Sequence, residues 1–99
     1  MIIVTGSVIT KPDKHQHLLD ISIEHCQRSR AELGCVAHNV HTDCENSSML
    51  VFVEYWTDMT ALKAHFRVPE SREFVVRLNE LAAEPPEMKI FSAEDVTHN

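Results

Sequence analysis

The stretch Met49-Leu-Val-Phe-Val-Glu-Tyr-Trp56 constrains this chain more than any other. In an extended strand, Leu50, Phe52 and Trp56 point to one side. Met49, Val51, Val53 and Tyr55 point to the other, and Glu54 is the only interruption. A strand with one wet face alternates apolar with polar residues, and this one is apolar on both. It therefore needs cover on both sides. A helix signal follows at once: Thr57 or Asp58 is placed to cap it, and Met59, Leu62 and Phe66 share one face of it.

The rest of the chain supplies the partners of that strand. Residues 2–10 are β-branched and read as a first strand. Lys11-Pro12-Asp13 then punctuates, with Pro12 expected in a first helical turn and Asp13 at its N-terminus. Residues 13–32 have helical spacing, with Leu18, Leu19, Ser22, Cys26 and Leu33 recurring at three- and four-residue steps. Gly34 is placed as the C-cap. Residues 35–43 read as a second strand, 44–48 as a polar turn and 49–56 as the third strand. The next helix is interrupted at Val68-Pro69, because a residue before proline avoids the helical region. It resumes with Phe74, Val75, Leu78, Leu81 and Ala82 at helical spacing and stops at Pro85-Pro86. Residues 87–93 read as a last strand and 94–99 as a polar tail, so 1–93 is expected to be one domain. The order β-α-β-β-α-β implies an α+β, ferredoxin-like plan: a four-stranded antiparallel sheet with its helices on one face. Two helices cover one side only, so the second side of strand three is expected to pack against another copy of the chain.

Charge and composition exclude several functions. With 99 residues and a net charge of −6, the chain lacks the basic face that phosphate backbones require, so nucleic acid is not an expected partner. No apolar run reaches membrane-spanning length, and the N-terminus lacks a basic n-region and a cleavage site. Three cysteines, Cys26, Cys35 and Cys44, are an odd number without a CxxC, which points to reduced thiols in a cytoplasmic protein. Gly6 and Gly34 are the only glycines, so no phosphate-cradling loop exists, and no cofactor is expected from a motif.

The residues that carry chemistry are few. Glu54 lies on an apolar face. Such a carboxylate is either a base or acid with a raised pKa, or a structural acceptor that ties its strand to a neighbour. Trp56 ends the same face, as core or as a substrate platform. His65 falls at the edge of its helix's apolar face, where an imidazole serves as base or donor. His25 follows the first helix's apolar face by one position and is placed to border the same cavity. Seven histidines invite a metal reading, but His15 and His17 face different directions, and His38 and His41 lie on opposite sides of a strand. No pair has the i,i+4 spacing of a zinc helix, so no metal is expected.

Taken together, Ser29-Arg-Ala-Glu-Leu-Gly34-Cys35, Val53-Glu54-Tyr55-Trp56, Ala64-His65-Phe66, Pro69 and Phe74 resemble the antibiotic biosynthesis monooxygenase domain over nearly the whole chain. The resemblance implies a dimeric α+β barrel that oxidises quinols or phenols with O2 and without metal or flavin. Carried over, Trp56 lines the pocket and His65 contacts the substrate or its oxyanion, with His25 as a second polar group. Phe66, Glu54, His38, Phe52 and Thr5 complete the expected pocket, and Glu54 is structural. His38 stands where the family often has an aromatic residue, which makes the pocket more polar. Haem-degrading relatives have an Asn, a Trp and a haem-binding His at the positions of Thr5, His65 and Val75, and all three differ here. An isomerase branch acting on a phosphorylated dione resembles the segment from Leu78 to Phe91 and uses a helix-one histidine near His25 or Cys26. That reading needs Arg30, Arg67 and Arg72 to converge. A non-catalytic ligand-binding dimer is the third alternative.

Overall fold

The computed structural model describes residues 1–97. The chain runs β1 (Ile2–Ile9), α1 (His15–Ser29), β2 (Cys35–Asp43), β3 (Asn46–Trp56), α2 (Met59–Arg67), α3 (Pro69–Leu81) and β4 (Glu87–Ser92). The four strands form one antiparallel sheet in the order β2-β3-β1-β4. This is the ferredoxin-like arrangement that the element order implied. Residues 94–97 carry no helix or strand, and the last two residues of the expected tail lie outside the described part.

Strand parity sorts the sheet. On β1 the even residues Ile2, Val4 and Val8 are buried, and on β3 so are Leu50, Phe52 and Trp56. These apolar side chains form two clusters. One joins Val8, Leu18, Cys26, Leu50, Phe52 and Ala82, and the other joins Ile2, Val4, Trp56 and Leu62. Phe74, Leu78 and Leu81 of α3 pack on the first cluster.

Three details of the helices differ from expectation. α1 begins at His15, because Asp13 has φ +68°, a left-handed turn conformation that cannot enter a helix. α1 ends at Ser29, and Leu33 is 94% exposed instead of continuing the apolar face. The buried face is Leu18, Ser22, His25, Cys26 and Ser29, so His25 lies on it and not beside it. Gly34 has φ +84°, and a Cβ there would lie 2.5 Å from Ala61 Cβ, so both conformation and space require glycine. At α2, Asp58 caps as expected and accepts from Ala61 N at 2.9 Å. Pro69 starts α3 as a separate helix.

Candidate active site

A cavity of about 540 Å³ opens between the sheet and α1, α2 and α3. Its walls are mainly apolar, with Val4, Phe52, Phe66, Phe74, Val75 and Leu78 among them. The polar groups converge at one end: His25 from α1, His38 from β2, Glu54 from β3 and His65 from α2. His25, His38 and His65 are 5%, 0% and 4% exposed.

Each histidine is oriented by a different partner. His65 Nδ1 lies 2.9 Å from Glu32 Oε1. A carboxylate accepts, so this contact places the His65 proton on Nδ1 and leaves Nε2 with a lone pair. The His65 ring packs on Trp56, with centroids 4.7 Å apart. His25 receives the opposite instruction. Arg28 Nη2 donates to its Nδ1 at 2.7 Å, so Nε2 carries the proton. Burial, helped by the neighbouring His38, His65 and Arg28, lowers the His25 pKa to about 3, so the ring is neutral at physiological pH. Phe74 stacks on it with centroids 4.0 Å apart and the ring planes nearly parallel.

His38 and Glu54 face each other across the β2–β3 ladder. His38 Nε2 lies 3.2 Å from Glu54 Oε1, but too obliquely to complete a hydrogen bond. Cys26 Sγ is 3.2 Å from His38 Nδ1. Burial pushes the Cys26 thiol up to about 12, so its S–H donates to Nδ1. Trp56 Nε1 donates to Glu54 Oε1 at 3.0 Å. Burial would raise the Glu54 pKa, but the His38 contact and the Trp56 N–H together bring it below the usual carboxylate value. Glu54 is therefore an ionised carboxylate that accepts from Trp56 on its own strand and lies against His38 of β2. Of the two roles open to it in the sequence, the raised-pKa acid or base is the one its surroundings do not support.

Two expected pocket residues lie elsewhere. Thr5 belongs to the opposite parity of β1 and faces a shallow groove with Met49 and Val51 on the uncovered side of the sheet. Trp56 is fully buried behind His65 and does not line the cavity. The separate sequence positions of His25, His38 and His65 hid a three-imidazole cluster that only the tertiary fold assembles. Glu32 and Arg28, which orient two of those rings, carried no sequence signal as site residues. Only Arg28, three residues after His25 on α1, has a helical offset that hints at the contact, because Glu32 lies beyond the end of the helix.

The sequence model of the family described as antibiotic biosynthesis monooxygenase matches residues 1–77. The chain belongs to this family. An uncharacterised Synechocystis protein, sll1783, is 34% identical over 90 residues, and the chain spans 61% of that relative's length and aligns over 91% of its own. YcnE of Bacillus subtilis, whose name proposes a monooxygenase, is 28% identical over 86% of this chain and 90% of its own length. A solved Deinococcus radiodurans protein, described as a candidate antibiotic biosynthesis monooxygenase, superposes with a TM-score of 0.93 over 100% of this chain and 98% of that one. At 20% identity that likeness carries the fold alone. Within the antibiotic biosynthesis monooxygenase plan, the residues matched include every ring of the cluster and Glu32.

Proposed function

We propose that the chain is a cofactor-independent monooxygenase that oxidises a quinol-like or phenolic small molecule with O2. The observation that carries this reading is the Glu32–His65 pair, 2.9 Å apart at the wall of an apolar cavity. His65 Nε2 takes the phenolic proton, and Glu32 stabilises the imidazolium that forms. His25 Nε2–H, held by Arg28, is a donor for the resulting oxyanion. The electron-rich anion passes one electron to O2. The two radicals join as a hydroperoxide, which loses water. A quinol and O2 thereby give a hydroxyquinone and one water, with the substrate supplying all the electrons. The apolar walls exclude water from the anion and favour a flat aromatic ring.

The isomerase alternative needs a cationic pocket for phosphate. Arg72 lines the cavity, whereas Arg30 is engaged with His38 O and Asn39 Oδ1 and Arg67 is not part of the lining. The reading also includes a homodimer through the uncovered sheet face, where Val51 and Val53 are half-buried and Tyr55 and Phe91 are 37% and 47% exposed. A second copy would cover these apolar side chains and account for the two-sided strand β3.

The test is O2 consumption with a panel of quinols and anthrones, followed by ¹⁸O₂ labelling of the product. One labelled oxygen per product molecule is expected. Turnover of a phosphorylated dione with no quinol oxidation would replace this reading by the isomerase. A ligand that raises the melting temperature without any turnover would leave only binding.

A further inference from the structure

His25, His38 and His65 come from three elements and bring one nitrogen each to a common point, all within 4.8 Å of one another. Their ring centroids are 5.1, 5.4 and 5.5 Å apart. Three imidazoles bound tetrahedrally to one ion, with metal–nitrogen bonds of about 2.0–2.1 Å, have centroids about 5 Å apart. The rings thus already stand at the separations that such an ion imposes. Bringing their nitrogens to the about 3.4 Å of neighbouring ligands needs rotation of the rings, and the Cβ–ring torsion is soft.

The groups around the rings fit as well. A metal-bound imidazole characteristically gives its second N–H to a carboxylate. Glu32 is 2.9 Å from His65 Nδ1, and Glu54 stands 3.2 Å from His38 Nε2, where a small turn of the ring completes the hydrogen bond. That leaves His65 Nε2 free to ligate. His38 Nδ1 holds only the weak S–H contact of Cys26. His25 is the exception. Arg28 donates to its Nδ1 and so puts the proton on the nitrogen that would have to ligate. Loading requires that proton to leave Nε2 and the guanidinium to withdraw. Ser71 Oγ already accepts from the same Arg28 nitrogen at 3.4 Å and remains its partner when His25 is released.

We infer that His25, His38 and His65 form a binding site for one divalent first-row transition ion of the zinc type, and that Arg28 opposes its loading. Neutral imidazoles suit zinc, cobalt, nickel and copper better than magnesium or calcium. The consequence deepens the proposed function and rests on it: the ion takes the His65 Nε2 lone pair, so the loaded protein cannot abstract the substrate proton. The binding itself does not depend on that reading.

The experiment titrates tag-free, chelator-treated full-length chain with Co²⁺ and Zn²⁺, using calorimetry and the visible spectrum of cobalt. One ion per chain with a tetrahedral cobalt spectrum is expected. Arg28→Gln, whose side-chain oxygen can accept from His25 Nδ1–H, is expected to tighten binding by about 10- to 100-fold. His25→Gln and His38→Gln are each expected to weaken it by at least about tenfold. His17→Gln, on the surface, should change nothing. Failure of both wild type and Arg28→Gln to bind an ion overturns the site. So does affinity unchanged in His25→Gln and His38→Gln. Loss of O2 uptake on zinc loading supports the blocking role. If the wild type oxidises no quinol at all, the function proposed above fails while the titration still decides the metal site.

Discussion

The two faces of the sheet use similar residues to different ends. On the covered face, Leu50, Phe52 and Trp56 are buried under helices together with Ile2, Val4 and Val8. On the uncovered face, Val51, Val53 and Tyr55 alternate with them along the same strand but remain half-buried or exposed. The covered face also admits polar groups, and those near the cavity have close partners even where, as at His38 Nε2, no hydrogen bond is completed. Glu54 has Trp56 and His38, His65 has Glu32, and His25 has Arg28. Burial there is what fixes charge states and tautomers. The uncovered face has no such control, because water reaches it. β3 is thus apolar on both sides for two reasons: one set of side chains builds the core and the site, while the other is free for a partner.

The largest expected effect that separates the faces is on stability. Trp56→Ala removes a fully buried indole and leaves Glu54 without its N–H donor, so a loss of about 3–5 kcal/mol is expected in denaturant unfolding. Val53→Ala, one register position from the same strand's core set, should cost well under about 1.5 kcal/mol, and equal costs would erase the comparison.

The pH dependence of stability is next in size. His25 is neutral in the fold with a pKa of about 3 and takes up its proton near 6.5 when unfolded. The unfolded state therefore binds more protons between those values. Stability is full above about 6.5 and falls as the pH drops toward 3, by on the order of 1 kcal/mol per unit. His25→Gln should flatten that slope. Glu54 acts in the same direction further down: its folded pKa is depressed, so its contribution is present above its unfolded value of 4.5 and is lost on acidification below it. An acid slope identical in wild type and His25→Gln would show that the ring is not held as described.

A smaller effect concerns Glu32. In Glu32→Gln the amide cannot stabilise an imidazolium, so the oxidation rate should fall by about tenfold or more while KM changes little. Loss confined to KM would make Glu32 a binding group only. The smallest expected effect on folding belongs to Val53→Asp on the uncovered face. It should leave monomer unfolding within about 1 kcal/mol yet convert a sedimenting dimer to a monomer at micromolar concentration. A wild-type chain that is already monomeric there would rule out the dimer.

Much of this was legible in the sequence, for physical reasons. Strand parity placed Leu50, Phe52 and Glu54 together, and Asp58 and Pro69 set the starts of α2 and α3. These are local rules that hold wherever the chain goes. Gly34, by contrast, is not the cap of α1, which ends at Ser29 with Arg30 as its C-cap, but the turn before β2. Thr5 differs from expectation because its strand parity turns it to the uncovered face, whatever its positional likeness to the family. Leu33 was misplaced because helical spacing ran past the true end of α1. The site's polar wiring was not legible. Glu32 lies in the turn after α1 and His65 33 residues later, and nothing local announces that they touch. Likewise, i,i+4 spacing is a test for ligands on one helix, so it was blind to three histidines gathered from α1, β2 and α2.

The central claim is that His65, backed by Glu32, is the base of an O2-dependent oxidation. The most direct measurement is the oxygen-electrode rate of His65→Ala against wild type on the quinol that the wild type turns over fastest, with the fold of both checked by circular dichroism. A fall of about 10²- to 10⁴-fold is expected in the folded variant. A folded His65→Ala protein that consumes O2 at the wild-type rate would contradict it.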